Sequence, residues 1–366
     1  MSSQVIESPQ VIAAPPPAIA VPALIGLAVL VAIASAMPFV LGSYLLFQAT
    51  QVLVFAIALL GLNMLTGFNG QISLGHSAFY AIGAYTTAIL LDKTDIPYWA
   101  AVPMSGVVCL LAGYLFGLPA LRLEGLYLAL ATFALAVATP QLLKFHAFEP
   151  WTGGVQGITL ITPDAPPGLK LASGQWFYFY CLMWMLVLCL VAWNLLRGRI
   201  GRSLVAIRDH PTAAASMGID TALYKSMTFG VSAMYTGIAG ALGALLTAFV
   251  SPDSFPPLLS NTLIVGSVVG GIASISGIFY GAVFIVFVPN VPDFLASHIS
   301  WPWVAAGAKA APWAIYGVFL IFTMYVMPMG MAGVVQIARR WLRRKMAGFG
   351  TSADRGDSTA IKSSLK

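Results

Sequence analysis

Residues 258–289 read LLSNTLIVGSVVGGIASISGIFYGAVFIVFVP, 32 residues without a single charge. As one helix the run would extend about 48 Å at about 1.5 Å per residue, well beyond a hydrocarbon core about 30 Å thick. Gly270-Gly271 and Ser274-Ile275-Ser276-Gly277 interrupt it in the middle. The run therefore divides into 258–273 and 277–289, as either two tilted spans or a re-entrant hairpin. The surrounding charge requires that division. Five basic residues (Arg197, Arg199, Arg202, Arg208 and Lys225) lie in 197–226, and eight more follow residue 338, including Arg339-Arg340 and Arg343-Arg344-Lys345. The positive-inside rule puts both regions in the cytoplasm, so an even number of crossings must separate them. Spans at 227–250 and 312–328 plus a two-legged 258–289 meet that condition. A single crossing at 258–289 does not.

Outward from this segment, apolar stretches of span length recur at 19–37, 44–65, 73–91, 99–119, 125–143 and 176–196. The whole chain is 59% hydrophobic and only 8% charged, against about 25% charged in soluble domains. Lipid must replace water as the solvent for much of its surface. Counting back from the basic loop puts Arg122 inside and Lys93, Lys144, Lys170 and Lys309 outside, fourteen basic residues against four. The expected fold is all-α: a polytopic transmembrane helical bundle of about ten membrane segments, both termini cytoplasmic, with broken or re-entrant helices. Residues 1–18, Pro/Ala-rich and without Lys or Arg, read as a disordered cytoplasmic tail; 19–328 form the membrane domain; 329–366 form a basic cytoplasmic tail. Ala34-Ser35-Ala36 mimics a signal-peptidase site, but no basic region precedes it, so 19–37 reads as an uncleaved span. Cys109, Cys181 and Cys189 lie in apolar runs without metal-binding spacing and read as small apolar side chains.

Two polar turns break the apolar pattern. The first, Gly67-Phe68-Asn69-Gly70-Gln71-Ile72-Ser73-Leu74-Gly75-His76-Ser77, joins two spans at the cytoplasmic face. Irregular backbone at membrane depth is tolerated where protein or a water-filled cavity satisfies it, and transporters place such breaks around a substrate path. Asn69, Gln71, Ser73 and His76 are therefore candidate path residues; a simple connecting turn, with Ser73 capping the next helix, explains the same residues. His76 has no carboxylate nearby in sequence and does not read as a proton relay. The second turn, Gly270–Gly281, is again Gly/Ser-rich and leads into an aromatic-bearing helix, a weak internal repeat of the first. Gly113/Gly117, Gly266/Gly270 and Gly277/Gly281 have small-xxx-small spacing, and Gly237, Gly240 and Gly243 recur every third residue, as close helix packing requires.

The basic loop carries a third feature. In GRSLVAIRDHPTAAASMGI, residues 201–219, Leu204, Ile207 and Arg208 recur at helical spacing. Pro211 suits the start of a second, Ala-rich helix that Gly218 stops. Ala206, Ile207, Arg208, Asp209, Ala213, Ala214 and Gly218 are the candidate contact residues. Small side chains here would fit another protein's cleft, with the Ala213–Ala215 run facing that partner. A membrane-surface helix is the alternative, for which the alanines offer little apolar area.

Four blocks together resemble the branched-chain amino acid ABC permeases of the LivM/LivH type, and the LivM half more closely. They are Gly61-Leu62-Asn63 through Gly83-Ala84-Tyr85, the run Leu121–Ala129, the loop Gly201–Ile219 and the turn Gly270–Gly281. The resemblance implies a multi-pass protein of the bacterial inner membrane that moves a substrate and carries no catalysis of its own. It implies three kinds of partner beside the lipid bilayer: a second homologous permease, two ABC-type ATPase subunits and a periplasmic substrate-binding protein. By the same resemblance 201–219 is the element that docks into the ATPase. The glutamate of the related EAA motif is missing, the matching stretch reading Thr212-Ala213-Ala214, so docking would rest on shape and on Arg208 and Asp209.

Other classes fare less well. The chain has no GxxxxGK[ST] motif, so ATP hydrolysis must come from a partner. A secondary transporter driven by protons needs an ionisable group inside the membrane, and all twelve acids fall in loops, tails or span edges. A membrane enzyme lacks paired acids, HExxH or a Ser/His/Asp cluster in its loops. No cofactor, metal or nucleic acid is expected. Related permeases also carry urea, amides or aromatic acids, so the solute stays open within that class.

Overall fold

A computed structural model describes residues 21–290, apart from Asp95, Arg122, Glu124 and Pro167, together with positions 317, 321, 322, 325, 330–333 and 335. The expected tail 1–18, most of the span 312–328 and most of the basic tail 329–366 lie outside the described residues.

Helix α1 (Val21–Val40) belongs to a separate unit ending at Gly42 and is uniformly apolar, without acidic or basic residues in its end turns. The second unit begins at Ser43. Its helices are α2 (Ser43–Asn63), α3 (His76–Lys93), α4 (Tyr98–Ala120), α5 (Leu126–Leu143), the short α6 (Glu149–Thr152) and α7 (Ser173–Arg197). They are followed by α8 (Arg199–Asp209), α9 (Pro211–Ser216), α10 (Thr221–Thr247), α11 (Pro257–Gly270) and α12 (Gly277–Phe287). The chain forms a helical membrane bundle. Among the described residues, five helices of this unit are long and apolar enough to cross a bilayer: α2 with its extension to Phe68, α4, α5, α7 and α10. Strand content among the described residues is one two-stranded antiparallel pair, Ile158–Thr159 with Phe249–Val250.

The centre of this unit is α10, buried along most of its length and packed against α2, α3 and α4. Lipid offers no hydrophobic drive between helices, so close backbone contact has to hold them. Gly83 of α3 lies against the backbone of Gly237, and Gly237 also abuts Cys109 of α4. Gly240 meets the backbone of Tyr80, and Gly113 meets Ala233. The glycines picked out by their spacing are thus at the helix crossings.

Segment 258–289 is a helical hairpin. Its legs, α11 of 14 and α12 of 11 residues, extend about 21 Å and about 16 Å, both short of a hydrocarbon core of about 30 Å. Gly270 sits against the backbone of Gly277, and Gly266 against that of Gly281, which lets the legs close tightly. The hairpin packs on α2 and α3.

Aromatic and charged side chains mark the two ends of the bundle. At one end Trp176 Nε1 donates to Tyr98 Oη at 3.1 Å, and Lys144 pairs with Asp253 at 2.6 Å. At the other end the Arg197 guanidinium lies 4.2 Å from the Trp193 ring centroid. Both are the amphipathic anchors expected near a headgroup layer.

Candidate functional site

At the basic end of the bundle, α8 is amphipathic. Gly201, Leu204 and Ile207 are buried, while Arg202 and Asp209 face outward. The helix packs on α7, on α10 and on a five-residue π-turn, Met64–Phe68, that extends α2. Helix α9 follows Pro211 and closes at Gly218, whose φ of +80° suits glycine. Ala214 is the one residue of α9 turned inward. Thr212, Ala213, Ala215 and Ser216 are exposed, and Met217 just beyond is 86% exposed.

Arg208 connects this loop to the first polar turn. Its Nη1 donates to the Gly67 carbonyl at 2.9 Å, and its Nε donates to Asp209 at 3.0 Å. A Cβ at Gly70 would stand 2.7 Å from Arg208 Cγ, so the turn lies directly on the arginine stem. On its other side the π-turn touches the hairpin tip. Asn63 Oδ1 accepts from Ala273 N at 2.8 Å, and Asn63 Nδ2 donates to Ser274 O at 3.0 Å. Ala273 has a φ of +59°, a left-handed conformation that costs a non-glycine residue about 1–2 kcal/mol and that the Asn63 pair helps hold.

In the turn between Asn69 and His76 the polar side chains are buried while Gly70 and Ile72 are exposed, and hydrogen bonds tie the turn and the start of α3 to α5, α10 and α11. Asn69 Nδ2 donates to Gln71 Oε1 at 3.0 Å, and Leu74 N donates to Thr132 Oγ1 of α5 at 2.9 Å. Ser232 Oγ on α10 donates to Gly61 O on α2 at 2.7 Å. It therefore accepts from His76 Nε2–H, 2.8 Å away, which leaves Nδ1 to accept from Ser73 Oγ at 3.1 Å. Ser77 N donates to Ser260 Oγ on α11 at 2.8 Å. Helix α3 begins at His76 behind Gly75, so Ser73 steadies the turn rather than capping the helix. Asn69 Oδ1 is buried without a partner among the described residues.

Comparison with known proteins fits this architecture. Residues 44–335 match the model of a family described as branched-chain amino acid transport system / permease component. The chain belongs to that family. It is 34% identical over 277 residues to the high-affinity branched-chain amino acid transport system permease protein LivM of Salmonella typhimurium, covering 69% of this chain and 65% of that one. The LivM of Escherichia coli is 32% identical over the same coverage. This match thus spans just under two thirds of these relatives' length. The autoinducer 2 import system permease protein LsrC of Salmonella paratyphi B is 26% identical over 252 residues, covering 62% of this chain and 70% of that one. No solved structure matches the chain.

As a member of this permease family, the chain brings its sequence-derived candidates into one region. Asn69, Gln71, Ser73 and His76 are all buried in the first turn. Ala206 is half-buried, Ile207 and Ala214 pack into the chain itself, and Asp209, Ala213 and Gly218 are exposed. Ala214 therefore does not face outward as the run of alanines suggested. Sequence reasoning missed Asn63, Ser232 and Ser260. Each is a polar residue inside an apolar run, and that alone was a signal, since such a group needs a partner within the protein.

Proposed function

We propose that the chain is one membrane-spanning half of an ATP-binding-cassette importer for branched-chain amino acids in the bacterial inner membrane. A second homologous permease completes the pathway, two ATPase subunits attach at the basic end, and a periplasmic binding protein delivers the solute. Family membership supports the permease role, and the names of the LivM relatives support the solute class. One observation supports the ATP-driven reading above others. An exposed helical loop at the basic end is bonded, through Arg208 and the Gly67 carbonyl, to a polar turn inside the bundle. Force applied to that loop by another subunit reaches membrane-depth backbone directly.

In this reading α8 and α9, with Ala206, Ile207, Arg208, Asp209, Ala213, Ala214 and Gly218, form the ATPase-coupling element. Ile207 and Ala214 seat it on the bundle, while Ala213, Gly218, Asp209 and the neighbouring Met217 meet the partner. The solute path runs beside Asn69, Gln71, Ser73 and His76. Asn69 offers it an acceptor that no described residue uses. The LsrC relatives favour a second reading, the same machine for another small polar solute.

Co-purification tests the assembly. The tagged chain, expressed with its companion subunits, retains an ATPase whose hydrolysis rises when binding protein and leucine are added. Failure to retain any ATPase would refute the reading.

A further inference from the structure

We propose that Asn63 is a positioning residue that ties the tip of the α11–α12 hairpin to the π-turn held by Arg208, so that displacement of α8 moves the hairpin tip. The inference deepens the permease reading and rests on it.

The contacts form a series without slack. Arg208 holds the Gly67 carbonyl at 2.9 Å. A Cβ at Gly67 would stand 2.5 Å from Ala273 N and 3.0 Å from Ala273 Cα, so the π-turn and the tip touch backbone to backbone. Asn63 adds two bonds in opposite senses, accepting from Ala273 N and donating to Ser274 O. Packed protein resists compression and passes displacement on. The five-residue π-turn is a departure from regular helix of the kind frequent at functional sites. The hairpin is built to move as one body: its legs are short and locked through glycine contacts, and Ser274 Oγ accepts from Gly277 N at 3.2 Å at the foot of α12. The tip is therefore organised locally, and Asn63 fixes where it sits. Gly330 also rests on Gly271 at this tip.

The test uses the full complex in nanodiscs, carrying Ser276→Cys at the exposed hairpin tip. The native thiols are a low background, since Cys109 and Cys181 are buried and Cys189 is half-buried. Maleimide labelling is timed without nucleotide and after vanadate trapping with ATP. The labelling rate should change about threefold or more between these states, a size typical of coupled sites. Asn63→Ala should abolish the change while ATP hydrolysis continues. Asn63→Asp, which keeps the acceptor for Ala273 N–H, should restore part of it. Arg208→Ala cuts the series at its exposed end and should abolish the change too, which decides the matter where Asn63→Ala fails to assemble. An unaltered response in either variant, or no response in the otherwise native chain while ATP is hydrolysed, overturns the proposal. Absence of any ATPase from the native complex instead sinks the permease reading, and this inference with it.

Discussion

Arg208 Nη1 lies 2.9 Å from the Gly67 carbonyl, a charge-assisted bond between residues 141 positions apart. It joins a helix of the basic loop to the irregular end of α2. A hydrogen bond to a charged group contributes about 1.5–3 kcal/mol. Arg208→Ala should therefore lower ATP-driven uptake by roughly ten- to a hundredfold, taking about 1.36 kcal/mol per decade, with the helical bundle intact. Arg208→Lys, which lacks the planar fork, should recover only part. Uptake and thermal unfolding measured side by side check this.

The two faces of α9 give opposite predictions. Met217 is 86% exposed, so Met217→Asp should change stability by no more than a surface substitution does, about 0.5 kcal/mol, while abolishing retention of the ATPase. Ala214 is 4% exposed and packs into its own chain. Ala214→Glu should lower the melting temperature first, by desolvating an unpaired charge. Pull-down and size-exclusion profiles of both variants separate the outcomes; equal effects on folding would contradict the placement of α9.

Ser232→Ala removes the acceptor of His76 Nε2–H and the donor to the Gly61 carbonyl together. Leaving buried groups unpaired costs about 1–3 kcal/mol each. The variant should melt well below Thr262→Ala, a half-buried residue whose hydroxyl bonds to Leu258 O of its own helix. Similar melting temperatures for the two would contradict the network.

Gly83→Val should be among the most damaging single changes. Its Cβ would strike the Gly237 carbonyl at the α3–α10 crossing. Overpacking of this kind costs about 1–3 kcal/mol. Lower yield and melting temperature are expected, and Gly174→Val, with open space around it, is the control.

Much of this fold was legible in the sequence. The helices begin and end within a few residues of the apolar runs, because the length of a span is set by the bilayer. The break at 271–276 was visible because no single helix of 32 residues fits, and the spaced glycines marked crossings that α10 makes. The spacing of Leu204, Ile207 and Arg208 marked α8 as a helix but not its inward face, which takes Leu204 and Ile207 and leaves Arg208 exposed. What could not be read was tertiary. Asn63 and Ala273 are 210 residues apart, and nothing local says that one holds the other. The facing of Ala214 depends on what packs beneath a six-residue helix, not on its alanines.

ATP-driven uptake of labelled leucine by the complex reconstituted in proteoliposomes tests the central claim most directly. With binding protein outside and ATP inside, leucine should accumulate, and a vesicle without ATP should show none even under an imposed proton or sodium gradient. Accumulation driven by an ion gradient without ATP would contradict the account.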